Sequence, residues 1–146
     1  MTRKVQYVVS ACLCGIPCRY DGRSSRDRGA ERLVRSGRAI PICPEVLGGL
    51  SIPRGSVDLA DGDGRDVLDG SASVISGKGD DLTASLLRGA FASLRIAKKF
   101  TIRKALMKQR SPSCGCGLIK RKGRIVRGDG VTTALFKREG INVISR

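Results

Sequence analysis

The sequence predicts an α/β domain whose mainly parallel sheet is flanked by helices, and three observations carry that prediction. Residues 4–42 read as strand, helix, strand, a βαβ unit whose crossover forces its two strands parallel. A long amphipathic helix ending at Lys99 runs directly into another strand-like segment. The C-terminal residues repeat the order of helix followed by strand.

Taken in order, Lys4 to Val9 is a buried strand bounded by Ser10, and the loop Ala11 to Gly22 follows it with three thiols in seven residues, Cys12, Cys14 and Cys18. Asp27 to Ser36 sets Leu33 and Val34 on one side and charges on the other; Gly37 stops this short surface helix. Arg38 to Ile42 is the second strand. Pro44 to Gly70 contains Pro44, Gly48, Gly49, Pro53, Gly55, Gly62, Gly64 and Gly70, too many breakers for a long element, and is expected to be one long functional loop. Ser71 to Ile75 reads as an edge strand. Asp80 or Asp81 is expected to cap a helix running to Lys99, whose stripe of Leu82, Leu86, Leu87, Ala90, Phe91, Leu94 and Ala97 is core. Phe100 to Met107 is the next strand, Leu118 to Val126 a small hairpin with the basic tip Lys120-Arg121-Lys122-Gly123-Arg124. Asp129 is expected to cap a last helix over Val131, Ala134 and Leu135; Gly140 ends it and Ile141 to Ile144 forms a terminal strand. The 146 residues show no internal repeat and fit one domain, 1–146.

Composition narrows the chemistry. There is no histidine, which excludes Cys-His nucleophile pairs, Ser-His-Asp triads and zinc sites of the Cys/His kind. No apolar run approaches a membrane span and no leader segment is evident, so the expectation is a cytoplasmic protein without a membrane partner. In that reducing compartment six cysteines point to metal binding or catalysis more than to disulfides. The net charge of +15 suggests an anionic partner such as RNA or a phosphorylated nucleotide, set against the plainer reading of a solvated basic surface. Two Tyr, three Phe and no Trp leave little for a base-stacking platform.

Three loops each present a cysteine just past a β-like segment: Cys12, Cys43 and Cys114, the last within Ser111-Pro112-Ser113-Cys114-Gly115-Cys116-Gly117. In a parallel α/β sheet, ligands bind beyond the carboxyl ends of the strands, so these thiols could meet there and hold a soft metal centre, iron-sulfur or zinc; the alternative is ordinary buried thiols. Cys14, Cys18 and Cys116 compete as ligands. Extended backbone would turn Cys14 away from Cys12, and Cys116 away from Cys114. Four cysteines would saturate an iron-sulfur cluster, as in electron transfer, whereas three leave one iron open to a substrate. Glu45 and Ser111, close in sequence to Cys43 and Cys114, are the proton-handling pair such an open site would need.

Several separated blocks, in order, also resemble the motifs of the thiouracil desulfidase family. They are Ser10-Ala11-Cys12, Cys18-Arg19-Tyr20-Asp21-Gly22, Cys43-Pro44-Glu45-Val46-Leu47-Gly48-Gly49-Leu50, Pro53-Arg54 and Ser111-Pro112-Ser113-Cys114-Gly115. The resemblance implies a Rossmann-like fold, a [4Fe-4S] cluster on Cys12, Cys43 and Cys114, and a fourth iron that takes the thiocarbonyl sulfur of a thiolated pyrimidine. It further implies hydrolytic replacement of sulfur by oxygen without net redox change, Glu45 moving protons and Ser111 positioning or protonating the substrate. Arg19, Tyr20 and Asp21 match a block near the cluster without individual roles, Asp21 being equally suited to capping a turn.

Two departures from the family pattern stand out. Pro53-Arg54 continues as Gly55-Ser56-Val57-Asp58 where the family usually runs toward Pro-Ala-Glu, and the hairpin carries a basic tip in place of an aromatic and acidic one. With the overall charge, that tip points to a thiolated nucleotide or RNA as the form of substrate. Two other functions compete with the enzyme: an iron-sulfur electron carrier or sensor, and a zinc-stabilised RNA-binding module.

Overall fold

The computed structural model describes residues 4–146. Four parallel strands form the main sheet in the order β2-β1-β5-β8: β1 (Tyr7–Ser10), β2 (Ala39–Ile42), β5 (Lys104–Met107) and β8 (Asn142–Ser145). Because successive side chains of a strand point to opposite faces, Val8 and Val9, both fully buried, serve two different cores. Val9 packs with Leu13, Ala30, Ala39 and Leu106 under α1 (Arg28–Arg35). Val8 joins Ala105 and Met107 in the larger core under α4 (Thr83–Lys99) and α5 (Val131–Arg138), with Leu86, Ala90, Leu94, Leu135 and Phe136. Helices on both faces of a parallel sheet give the predicted α/β class.

The stretch expected as one long loop is more ordered than its glycines suggest. It contains α2 (Pro44–Leu47), β3 (Val57–Leu59) and α3 (Gly64–Leu68). The breakers sit at element ends: Pro44 opens α2, and Asp63 caps α3 in a capping box with Asp66. β3 belongs to a second, mixed sheet of order β4-β3-β6-β7, with β4 (Val74–Ser76), β6 (Leu118–Arg121) and β7 (Arg124–Arg127). β4 is an edge strand as expected.

Two caps differ from expectation. Leu82 is the cap of α4, and Asp81 helps from one residue earlier by accepting the Thr83 N–H at 2.9 Å. Gly130, not Asp129, caps α5, because carbonyls of the 112–115 loop already take that helix's unpaired donors: Val131 N–H reaches Pro112 O at 2.9 Å and Thr132 N–H reaches Ser113 O at 2.9 Å. Asp129 instead accepts from the Gly117 N–H and from Lys137 Nζ, each at 2.9 Å. Phe100 and Thr101 form a turn and Ile102 and Arg103 lie outside any strand, so β5 starts at Lys104.

Candidate active site

On β1 the chain first crosses to β2 on one side, while β5 lies on the other side, so the strand order reverses at β1. A crevice opens at such a switch point, beyond the carboxyl ends of the strands. Here it is a cavity of about 400 Å³ whose lining includes Cys12, Cys43, Cys114, Glu45 and Ser111. The five residues singled out from sequence are therefore together.

Each is delivered by a different local device. Cys12 sits in a tight 3-10 turn, Ala11–Cys14, that leaves β1 directly. Cys43 is the N-cap of α2, with Pro44 and Glu45 in its first turn. That short helix is held by close approach to α4: a Cβ at Gly89 would run into the Pro44 carbonyl, and one at Gly48 into that of Ser85. Cys114 lies in the loop clamped by α5, where the Thr133 hydroxyl donates to Cys114 O at 2.7 Å and the buried Ser113 and Thr132 hydroxyls share a bond at 3.1 Å.

Ser111 Oγ accepts the N–H groups of Ser113 and Cys114, both at 3.0 Å. A hydroxyl has two acceptor lone pairs and one donor, so Ser111 can give a hydrogen bond to a bound molecule but has no lone pair left to take a proton. Glu45 is held by Arg54, whose Nε and Nη2 both donate to Oε1 at 3.1 and 2.8 Å, with only 8% and 13% of the Arg54 and Glu45 side chains exposed. Arg54 also donates to Cys18 O at 3.1 Å and Ser51 O at 2.9 Å. Glu45 Oε2 is the carboxylate atom that Arg54 leaves unengaged.

The thiols divide into groups. Cys14 packs beneath α1, where burial first, and then Glu31 and Asp27, push its pKa up to about 11. Cys116 turns toward β8, its Sγ 3.9 Å from Val143 O. Neither lines the cavity. Cys18 does: 4% exposed, it packs with Ala11 and Cys12, and Cys43 lies against them. Its distance from any strand end hid it, the loop after the 3-10 turn folding it back.

Electrostatics at these sulfurs suit a metal centre. Cys43 is held far above the ordinary thiol range, first by its hydrogen bond with Cys18 and then by burial. Burial pushes Cys114 up to about 12, with Cys43 and Glu45 adding to it. Crowded, buried thiols of this kind ionise readily only when a positive centre compensates the charge. Among the described residues no three Cys, Asp or Glu side chains converge on one point as for a single ion; the thiols stand around the cavity instead.

The remaining wall is cationic. Arg19, Lys108, Arg110 and Lys120 line it with Arg54. Arg19 pairs with Asp21 at 3.2 Å, and Asp21 also accepts the Arg23 N–H, so Asp21 does cap a turn. Lys120 stands 5.3 Å from the centre of the Tyr20 ring and 3.4 Å from Asp58 Oδ1, a buried oxygen that accepts no hydrogen bond. Ser10, at the end of β1, accepts the Lys108 N–H at 2.8 Å and faces the cavity. Sequence reading gave no role to Ser10, Arg54 or Lys108, and it placed Lys120 on a basic hairpin tip, not in the cavity. Position in a motif block could have flagged Ser10 and Arg54, whereas Lys120 depends on a pairing between distant strands.

A family model described as 2-thiouracil desulfurase matches residues 7–146. This chain belongs to the 2-thiouracil desulfurase family. An uncharacterized protein of Bacillus subtilis (strain 168), YbbK, is 40% identical over 141 residues, which covers 94% of this chain and 93% of that relative. The solved structure of TudS, a [4Fe-4S]-dependent thiouracil desulfidase, aligns with a TM-score of 0.83 at 40% identity, covering 98% of this chain and 91% of that one. The desulfurase family and its α/β fold, both expected from the motif blocks, are thus what this chain has. None of its helices is long and apolar enough to cross a membrane among the described residues.

Proposed function

We propose that the chain is a cytoplasmic [4Fe-4S]-dependent desulfidase, acting as a single domain, that replaces the sulfur of a thiolated pyrimidine with oxygen from water. The observation that carries this reading is one cavity lined by three thiols from three strand ends, a carboxylate and a donating hydroxyl. Cys12, Cys43 and Cys114 would hold the cluster, since thiolates are the ligands iron-sulfur groups take and the chain offers no imidazole. Held by those three thiolates, a cluster would offer an iron without a protein ligand, whose Lewis acidity would make a thiocarbonyl sulfur a better leaving group.

The chain's own residues do the rest. Glu45 Oε2 takes a proton from the attacking water and returns it to the departing sulfur or the ring, while Arg54 fixes the carboxylate through Oε1. Ser111 donates its hydroxyl hydrogen to the substrate. The balance is thiocarbonyl plus water giving carbonyl plus hydrogen sulfide, with no oxidant or reductant. Arg19, Lys108, Arg110 and Lys120 favour a substrate bearing phosphate, a thionucleotide or thiolated RNA, over the free base.

The test is anaerobic purification followed by measurement of iron and inorganic sulfide, then turnover of thiouracil, 4-thiouridine and their phosphorylated forms in water labelled with heavy oxygen. The expected protein is brown, releases sulfide and places the label on the ring carbon. A colourless, zinc-containing preparation would sink the reading in favour of a zinc-stabilised module, and a cluster-loaded protein that turns over none of these substrates would favour an electron carrier.

A further inference from the structure

Among the described residues, Asp58 Oδ1 is the one buried side-chain oxygen or nitrogen that makes no hydrogen bond. Lys120 Nζ faces it at 3.4 Å, an ion pair reaching from β6 to β3, with 25% of the Lys120 and 15% of the Asp58 side chain exposed. The other carboxylate oxygen, Oδ2, accepts the Gly123 N–H at 3.1 Å, so Asp58 is anchored to the hairpin turn. The same ammonium stands 5.3 Å from the centre of the Tyr20 ring. Lys120 and its cross-strand partner Ile125 both line the cavity, which places the held ammonium at the cavity wall. Asp58 ends the Gly55–Asp58 stretch and Lys120 begins the basic tip, so the two departures from the family's motif pattern meet in one contact.

Stability does not account for this pair. Exchanging a buried ion pair for well-packed apolar groups is often neutral or stabilising, and a buried oxygen left without a hydrogen bond is a cost. Charge decides what the ammonium can recognise. Of the five cations around the cavity, Arg19, Arg54 and Lys120 each have a carboxylate, from Asp21, Glu45 and Asp58. Lys108 and Arg110 have none among the described residues. A phosphate is therefore drawn to Lys108 and Arg110, while the carboxylate beside Lys120 opposes it there. An ammonium with its charge already matched keeps three N–H donors, and fixed between Asp58 and Tyr20 it offers one of them to the cavity in a set direction. We propose that Asp58 and Lys120 form one specificity-determining unit: Asp58 is a positioning residue that holds the ammonium and cancels its charge, and Lys120 donates a hydrogen bond to a neutral oxygen of the substrate, a ring carbonyl or a sugar hydroxyl. The inference rests on the desulfidase reading above and narrows it, leaving the phosphate of a thionucleotide to Lys108 and Arg110.

The experiment measures kcat and KM of iron-loaded protein for thiouracil, 4-thiouridine and 4-thiouridine monophosphate in wild type, Asp58→Asn and the double variant Asp58→Asn, Lys120→Met. The double variant keeps the net charge and strands no buried charge, so it should fold and carry its iron. Its KM should rise about 10- to 100-fold for 4-thiouridine and its monophosphate alike, the weight of a hydrogen bond from a charged donor, with kcat moving less. A rise shared by thiouracil assigns the ring carbonyl, and one confined to the two ribosides assigns the sugar hydroxyl. Asp58→Asn alone unmasks a positive charge while still accepting the Gly123 N–H. The monophosphate should then gain on the nucleoside by about 3- to 10-fold at low salt, an advantage that shrinks as salt rises. A double variant that loses only the monophosphate would make Lys120 a phosphate ligand and overturn the inference. Wild-type KM values for all three substrates would reduce the pair to a structural one and overturn it too, as would Asp58→Asn without the gain for the monophosphate. Cluster-loaded wild type that turns over none of the three would bring down the desulfidase reading and this inference with it.

Discussion

The two four-stranded sheets reach the same cavity by different routes and bring it different chemistry. The parallel sheet contributes through its strand ends: Ser10 closes β1, and Cys12, Cys43, Glu45 and the 108–114 loop follow β1, β2 or β5. The mixed sheet contributes through residues within its strands: Val57 of β3, Lys120 of β6 and Ile125 of β7 form the opposite wall. One side gathers soft sulfur and a carboxylate, the other a hard cation on an apolar wall. Under the proposed function the parallel edge would carry the reacting groups, while the cations that would select the substrate come from both sides, Arg19, Lys108 and Arg110 from loops after β1 and β5 and Lys120 from β6.

Ligand loss offers the sharpest break between the two. Cys12→Ser, Cys43→Ser and Cys114→Ser should each abolish stable iron binding, because oxygen is a poor substitute for a soft thiolate. Cys14→Ser and Cys116→Ser, outside the cavity, should keep it, as should Lys120→Met on the other wall. Iron and sulfide analysis of anaerobic preparations decides; loss of iron in Lys120→Met would erase the division.

Next in size is the chemical step. Glu45→Gln preserves shape and an acceptor for Arg54 but cannot exchange a proton, so turnover should fall by about 100- to 10,000-fold with iron content unchanged. Ser111→Ala should slow turnover as well, and it also removes the acceptor of two loop N–H groups. Near-normal turnover by iron-loaded Glu45→Gln would reduce Glu45 to a structural partner of Arg54.

That partnership can be measured on its own. Arg54→Met leaves the largely buried Glu45 carboxylate without its cation and strips donors from Cys18 O and Ser51 O. Breaking such a pair costs about 3 to 5 kcal/mol, which a denaturant titration or a fall in Tm would register. The double variant Arg54→Met, Glu45→Gln should cost less than the sum of the two single changes, since the stranded charge is gone.

The same contrast explains what was legible in the sequence. Parallel strands end at one edge, so a cysteine just past each strand-like run already implies convergence, and Cys12, Cys43, Cys114, Glu45 and Ser111 do line one cavity. The mixed sheet was not legible. β3 has only three residues within a glycine-rich stretch, and it joins β6 through the single register pair Leu59 and Arg121, a pairing that no local pattern announces. Expecting one long loop over 44–70 was the same failure, because short elements bounded by glycine and proline look like turns until tertiary packing selects them. The place of Cys18 in the cavity was hidden for a related reason: hydrogen bonds to Arg54 from a distant segment hold its loop against the thiols.

The basic hairpin tests the selecting wall at its smallest expected effect. The structure divides the five-residue basic run: Lys120 is engaged by Asp58 and Tyr20 inside the cavity, Arg121 donates to Gly62 O at 3.0 Å, and Lys122 and Arg124 are exposed around the turn. Only the last two are therefore placed to meet phosphates beyond the cavity. Lys122→Gln with Arg124→Gln should weaken binding of a thiolated RNA and lower the slope of log affinity against log salt by roughly 0.7 for each single-strand phosphate that the protein ceases to neutralise. A thionucleotide small enough to sit inside the cavity should lose little, and a free thiobase nothing. Lys120→Gln should show the reverse order, weakening the nucleotide while leaving the additional affinity of RNA intact. Equal salt slopes for wild type and the exposed pair with every phosphorylated substrate would return the hairpin tip to an ordinary solvated surface and confine substrate selection to Lys120 and its neighbours in the cavity.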